Sequence, residues 1–157
     1  MRCVSDAIRL VVLNVVRPTS AIIRSDTPAL NHVISVTEKT FHHIDALVLN
    51  AGVLHPMGNI ASSEITLEEW KSHFDVNFFS LITALRATLP ALRDSDLGGR
   101  VVLVSSGAAT GNIAGWGPYN AAKAALNSLC RFVATRIYRY DSSSIFNVAL
   151  SPTKNLK

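Results

Sequence analysis

The chain has 157 residues, 48% of them hydrophobic and 17% charged, so it is long enough for one domain with a buried core and too apolar to remain disordered. Its net charge of +4 comes from 15 scattered lysines and arginines, which argues against a nucleic-acid-binding surface. Cys3 and Cys130 show neither metal-ligand spacing nor a disulfide framework, which favours a reducing, cytoplasmic compartment.

The N-terminal stretch and the histidines predict neither a membrane segment nor a metal site. Residues 8–16 are apolar but are interrupted by Arg9 and Asn14, and no small-residue cleavage site follows, so no signal peptide is expected. No apolar run approaches the ~20 residues that cross a bilayer. The adjacent His42 and His43 would point in different directions in a helix or a strand, so we predict no metal.

Short apolar runs alternate along the chain with longer amphipathic ones, a pattern typical of strands joined by crossover helices in a mostly parallel sheet. The candidate strands are rich in Val, Ile and Leu without alternation, as expected for strands buried on both faces. These strands are residues 8–16, 44–50, 100–106 and 145–150. We therefore predict an α/β layered fold.

Three helices are predicted between these strands. The first covers residues 28–42, and the third covers residues 118–138, with Pro118 in the first turn, where no intrahelical bond needs its N–H. The second begins at Thr66, because Thr66 and Glu69 have the spacing of a capping box, and it continues to Leu92. Pro90 is expected to kink or end that helix.

Tyr119 and Lys123 are four residues apart at the start of the third helix, so their side chains lie on one face, one turn apart. A free tyrosine has a pKa of about 10 and is a poor acid or base at neutral pH, but a neighbouring cation stabilises the phenolate. Ser106 ends a predicted strand thirteen residues before Tyr119. Ligands bind at such strand ends in open α/β sheets, so the three residues predict a reactive site.

Four motifs, taken together, resemble those of the classical short-chain dehydrogenases/reductases. Ser106 followed by Tyr119-Asn120-Ala121-Ala122-Lys123 resembles the family's active-site signature. Asn50-Ala51-Gly52 is similar to its sheet-stabilising motif, and Asp75-Val76-Asn77 to its helical asparagine motif. The resemblance covers residues 44–157 and implies a Rossmann-like three-layer fold with a mostly parallel sheet.

The resemblance also implies a role for each matched residue. Tyr119 would be the general acid/base, and Lys123 would support it and bind the nicotinamide ribose. Ser106 would position the substrate carbonyl or alcohol, and Asn77 would hold a water that links Lys123 to solvent. Asn50, Ala51, Gly52, Tyr119, Lys123 and Pro152 are the implied cofactor-binding residues, with Arg17 as a further candidate that would favour the phosphate of NADP. The implied reaction is NAD(P)-dependent carbonyl reduction or alcohol oxidation, with NADP slightly preferred over NAD.

The sequence departs from the family at both ends. No glycine precedes Gly52, so the first strand and the glycine-rich loop that should bind the cofactor pyrophosphate have no counterpart, and cofactor binding is expected to be impaired. At the other end Leu150-Ser151-Pro152 matches a family turn, but Thr153 replaces the expected glycine and the sequence stops at Lys157. We interpret the chain as one partial domain that comes from a truncated paralogue, a splice product or an incomplete gene model. Residues 1–43 would be a divergent or shortened cofactor half and residues 44–157 the catalytic half.

Loss of the first strand, which is central in the complete fold, would expose the edge of the strand at residues 44–50. We expect residues 8–16 to pair with that edge, since an open apolar strand invites pairing.

Two functions remain open at this point. The first is an enzyme that acts on a small carbonyl or alcohol. The second is a non-catalytic remnant that serves as an interaction module. The second and third helices carry Phe78, Phe79, Leu81 and Leu129, and the same helices pair subunits in relatives, so a homodimer or homotetramer is expected in either case.

Overall fold

The computed structural model describes residues 10–13, 27–61, 64–137 and 145–151. Its four strands are β1 (Leu10–Leu13), β2 (Ala46–Leu49), β3 (Arg100–Ser106) and β4 (Ile145–Ser151). Its helices are α1 (Thr27–Phe41), α2 (Leu67–Phe74), α3 (Ser80–Arg93), the short α4 (Ala108–Gly111) and α5 (Gly117–Ile137). A π-helical turn, Asp75–Phe79, connects α2 to α3.

The four strands form one parallel sheet in the order β1-β2-β3-β4. Each pair of neighbouring strands is joined by a helical connection, as parallel pairing requires. The predicted α/β, Rossmann-like fold with an incomplete, mostly parallel sheet is therefore confirmed.

Strand β1 lies beside β2, with Leu10 opposite Ala46 and Leu13 opposite Leu49. The expectation that the N-terminal apolar stretch pairs with this edge is confirmed for Leu10–Leu13. The rest of that stretch, residues 8, 9 and 14–16, lies outside the described residues. Pairing satisfies the backbone N–H and C=O groups that β2 would otherwise leave open.

The core lies between β2, β3 and the helices that pack against them. Leu47, Leu49 and Leu103 are fully buried, and they meet Leu81 and Leu85 of α3. Burying one such leucine side chain stabilises the fold by roughly 2 kcal/mol relative to leaving it in water. The long apolar strands and the apolar face of α3 therefore determine how the sheet and this helix pack.

The capping box predicted at the start of α2 is confirmed. Thr66 Oγ1 accepts a hydrogen bond from the Glu69 backbone N–H at 3.2 Å, and Glu69 Oε2 accepts one from the Thr66 backbone N–H at 2.7 Å. These bonds satisfy donors that a helix N-terminus leaves open. The Thr66 backbone N–H and the Thr66 hydroxyl both donate to Glu69 Oε2, and these two bonds lower the pKa of Glu69.

The single helix predicted from Thr66 to Leu92 is instead interrupted by the π-helical turn. At its end the Ser80 backbone N–H reaches back five residues to the carbonyl of Asp75. Pro90 does not end α3, which continues to Arg93. The predicted end is therefore right within one residue, and the interruption lies earlier than the proline.

Helix α5 begins at Gly117, with Pro118 in its first turn as predicted. A Cβ atom on Gly117 would lie 3.1 Å from the Trp70 ring, so glycine allows the start of α5 to approach α2 closely. Within the described ranges, no helix is long and apolar enough to cross a membrane. The same part of the chain contains no group of three or more His, Cys, Asp or Glu side chains that could hold a metal ion.

Candidate active site

Lys123 lies at the centre of the predicted site. Its side chain is buried, and Nζ donates a hydrogen bond to the Val104 carbonyl oxygen of β3 at 2.9 Å. The same Nζ lies 5.7 Å from the centre of the Tyr119 ring, one helical turn earlier on α5. The predicted pairing of an ammonium group with a phenol is therefore present.

Ser106 is the last residue of β3, two residues after Val104. It is buried, and its Oγ accepts a hydrogen bond from the Ala108 backbone N–H at 3.2 Å. The neighbouring Ser105 Oγ is also buried, but it has no hydrogen-bond partner among the described residues. Lys123 and Ser106 therefore meet the same end of β3, the carboxyl edge where ligands bind in such sheets.

Asn77 lies in the π-helical turn and is fully buried. Its side-chain amide binds both backbone groups of Val53: Oδ1 accepts from the Val53 N–H at 2.9 Å, and Nδ2 donates to the Val53 carbonyl at 2.9 Å. Because a backbone N–H can only donate and a carbonyl can only accept, these bonds fix the orientation of the amide. The turn is thereby attached to the loop that follows β2.

Gly52 brings the loop after β2 into contact with the other site residues. A Cβ atom at this position would lie 2.9 Å from Asn77 Oδ1 and 3.5 Å from Lys123 Nζ. Glycine is therefore needed for Asn77 and Lys123 to approach the same stretch of backbone. The two residues before it differ in exposure, since Asn50 is exposed and Ala51 is buried.

The structure thus brings together Gly52, Asn77, Tyr119 and Lys123, with Ser106 at the adjoining strand end. Arg17 and Pro152, the other predicted cofactor residues, lie outside the described residues. Every remaining residue predicted for the site belongs to β3, α5, the π-helical turn or the loop after β2.

Two aromatic side chains near the site were missed by the sequence analysis. His73 is buried and lies one helical turn before Asn77, a spacing that could have identified it. Trp116 packs edge-to-face on Tyr119, with ring centres 5.9 Å apart and planes at 87°. The loop residue Gly58 forms a parallel bridge with Trp116 and helps to hold it, a contact that local sequence does not indicate.

Burial lowers the pKa of Lys123 from 10.5 to about 8, because the low-dielectric interior disfavours the ammonium form. A group with this pKa is still mainly protonated at neutral pH. Lys123 therefore contributes a buried positive charge beside Tyr119, at a cost in stability.

Lys123→Met should weaken the dependence of stability on pH. Between about pH 8 and 10.5 the unfolded chain binds the lysine proton more strongly than the folded protein, so the free energy of unfolding rises with pH in this interval. From pH 7.5 to pH 10 the rise should be about 2 kcal/mol in the native protein and absent in Lys123→Met. Urea unfolding at both pH values measures it.

The matched control is Lys71→Met, which changes an exposed lysine paired with Glu68. This variant should keep the full rise. An equal rise in all three proteins would show that Lys123 is not buried as an ammonium group.

Comparisons with known proteins identify the family of this chain. The family model described as short chain dehydrogenase matches residues 19–154. An uncharacterized oxidoreductase of Schizosaccharomyces pombe is 37% identical over 119 residues, which are 76% of this chain and 44% of that protein. A benzil reductase of Saccharomyces cerevisiae, named as (S)-benzoin forming, is 34% identical over 113 residues, 71% of this chain and 43% of that protein.

The fold agrees as well. The crystal structure of the NADH-dependent reductase A1-R' complexed with NAD superimposes with a TM-score of 0.74 at 25% identity, covering 93% of this chain and 69% of that one. The chain spans less than half the length of the curated relatives named above. Because the family model matches most of the sequence and the motif residues meet at one sheet edge, the chain belongs to the short-chain dehydrogenase/reductase family.

Proposed function

We propose that residues 44–157 form the catalytic half of an NAD(P)-dependent oxidoreductase that interconverts a carbonyl and an alcohol. The observation that carries the proposal is the buried Lys123 ammonium group, which is bound to Val104 of β3 and lies 5.7 Å from the Tyr119 ring. Burying a lysine is costly, and a cation beside a phenol has a clear use in proton transfer. Residues 1–43 are proposed to be a shortened cofactor half.

Tyr119 is proposed to be the general acid/base. When a carbonyl is reduced, its oxygen becomes negatively charged and needs a proton, which the Tyr119 hydroxyl supplies. The phenolate that remains is stabilised by the nearby ammonium of Lys123, since their attraction is strong in a buried setting. In the oxidative direction, the phenolate takes the proton from the alcohol.

Ser106 and Asn77 are proposed to support this proton transfer. The Ser106 hydroxyl accepts a bond from Ala108, which leaves its own hydrogen to donate to a substrate oxygen. Asn77 holds the loop after β2 through Val53 and places Oδ1 beside Gly52, near Lys123. A water bound between Asn77 and Lys123 would return protons from solvent to the site.

The site residues fit the nicotinamide-ribose end of NAD or NADP. Nζ of Lys123 donates one of its three hydrogens to Val104, and the other two suit the hydroxyl groups of a ribose. Gly52 is exposed, and a side chain there would fill the space between Asn77 Oδ1 and Lys123 Nζ. Tyr119, Lys123 and the Asn50-Ala51-Gly52 loop are therefore proposed to hold this end. When bound, the cofactor supplies or accepts the hydride.

Fewer residues of this chain are suited to bind the pyrophosphate end of the cofactor. No glycine precedes Gly52, so the backbone turn that usually binds the pyrophosphate is missing from this sequence. We propose weaker cofactor binding than in full-length relatives. Arg17 is proposed to favour NADP, and Pro152 is proposed to be a further cofactor-binding residue.

The proposed substrate is a small carbonyl compound or the corresponding alcohol. One relative is named a benzil reductase, and the aromatic ring of Trp116 beside Tyr119 suits a flat aromatic ketone. We also propose self-association through α2, the π-helical turn and α5, where Leu67, Phe79 and Phe132 are exposed. Two of the residues on which the sequence analysis based this expectation do not serve it, because Leu81 is buried in the core and Leu129 packs against the core.

Fluorescence titration with NADH and NADPH tests the proposal. Saturable binding with a micromolar Kd is expected, and NADPH should bind slightly more tightly if Arg17 contributes. Reduction of benzil should then be detectable as loss of NAD(P)H absorbance. No binding up to millimolar cofactor would contradict the proposal and favour the alternative of a non-catalytic interaction module.

A further inference from the structure

We propose that His73 is a positioning residue of this site, which acts on Asn77 through an imidazole that carries its only ring hydrogen on Nε2. The effect on turnover rests on the proposed function. The state of the imidazole and its influence on Asn77 can be measured without turnover.

The hydrogen-bond partners of His73 define its tautomer. Its Nε2 lies 2.9 Å from the Pro56 carbonyl oxygen, which can only accept, so Nε2 must carry a hydrogen. Its Nδ1 lies 3.5 Å from Asn77 Nδ2, which can only donate, so Nδ1 must present a lone pair. A ring with one donor and one acceptor nitrogen is neutral.

The orientation of Asn77 does not depend on an assumption about His73. The two bonds to Val53 already require Nδ2 to face the carbonyl and Oδ1 to face the N–H. His73 Nδ1 contacts the amide at Nδ2, whereas Gly52 lies beside Oδ1. The long Nδ1 contact therefore reinforces an orientation in which Oδ1 borders the proposed cofactor space.

The surroundings of His73 favour the neutral ring. The ring is almost fully buried, and this burial is the largest cause that lowers its pKa below 6.5. His55, in the loop after β2, lowers the pKa further, whereas the Pro56 bond and the Glu69 carboxylate on α2 raise it. On α5 the charged group of the site is the ammonium of Lys123, which lies, like Asn77 Oδ1, next to Gly52.

Protonation of His73 would reverse the contact. A hydrogen on Nδ1 would point at the NH₂ group of Asn77, and two donors would face each other. The amide of Asn77 would have to move away from Val53, Oδ1 would leave its place beside Gly52, and the site would lose its geometry. Because the folded pKa lies below 6.5, stability should also fall as pH decreases from 6.5 through the folded pKa.

Nitrogen-15 NMR of the whole chain tests the tautomer directly. A long-range ¹⁵N–¹H spectrum should show His73 with a protonated Nε2 and an unprotonated Nδ1 from pH 8 down to pH 6.5. The Asn77 side-chain NH₂ signals should change with pH together with the His73 ring. An Nδ1-protonated tautomer, or Asn77 signals that do not follow His73, would overturn the proposal.

His73→Gln provides the second test, because its amide can still donate to Pro56 but has no nitrogen that takes up a proton as Nδ1 does. The Asn77 NH₂ signals should shift in this variant and remain unchanged in His32→Gln, an exposed control on α1. If benzil is reduced, kcat should fall about 10-fold with little change in KM. In the native protein, kcat should decline as the pH falls and His73 becomes protonated. This decline should be absent in His73→Gln.

These measurements separate the two proposals. Absence of turnover in the native protein would contradict the proposed function and leave the NMR result as the test of His73. If His73→Gln does not fold, the pH titration of Asn77 in the native protein decides. The positioning role would be overturned if a folded, active His73→Gln had the same kcat as the native protein and the same fall of kcat at low pH.

Discussion

Tyr119→Phe is expected to reduce turnover by about 10²–10⁴-fold, the contribution usually made by a positioned general acid. The substitution removes one hydroxyl group and keeps the ring, which packs on Trp116 and lies 5.7 Å from Lys123 Nζ. The fold and the position of Lys123 should therefore be retained. Cofactor affinity should change little, because Lys123 and the Asn50-Ala51-Gly52 loop would still hold the ribose end. Steady-state kinetics with benzil and fluorescence titration with NADPH measure the two effects separately.

Tyr138→Phe is the matched control, since it removes the same hydroxyl from a tyrosine that belongs to none of the motifs. It should leave turnover unchanged. If Tyr119→Phe keeps turnover within twofold of the native protein, Tyr119 is not the acid/base. If it loses cofactor binding together with turnover, the hydroxyl serves in binding the cofactor, and its assignment as the acid/base would lack support.

Gly99→Ala is expected to produce the largest loss of stability from a one-carbon change. A Cβ atom at Gly99 would lie 2.3 Å from the backbone oxygen of Leu92 and 2.8 Å from its carbonyl carbon. Leu92 belongs to the last turn of α3 and is buried in the core, so the helix end would have to move away from β3. We expect a loss of about 3 kcal/mol in the free energy of unfolding, measured in urea.

Gly111→Ala is the control, because a Cβ atom there would meet nothing within 4 Å. Gly111→Ala should change the free energy of unfolding by less than about 0.5 kcal/mol. A similar small effect in both variants would show that α3 can move away from Gly99 at little cost.

Much of the fold could be predicted because its signals are local. Strand β3 begins and ends at the predicted residues, since seven consecutive residues suited to a buried strand are bounded by glycines. The start of α2 was predicted from Thr66 and Glu69, whose two hydrogen bonds involve residues only three positions apart.

The π-helical turn could not be predicted in this way. Its residue Asn77 binds Val53, which is 24 positions earlier in the chain. The residues within one helical turn of Asn77 do not indicate such a long-range contact. At Pro90 the local signal failed in the opposite way. The proline does not end α3, because Ala91 and Leu92 beyond it are buried and keep the helix packed on the core.

The sequence alone determined that Tyr119 and Lys123 lie one turn apart on a helix and that Ser106 ends a strand. These placements follow from the local geometry of helices and strands. Tertiary structure decided that Lys123 is buried against Val104, that Gly52 lies beside Asn77, and that His73 faces the Asn77 amide. Those contacts join residues from separate strands, helices and loops. Their electrostatic strength depends on burial, which local sequence does not specify.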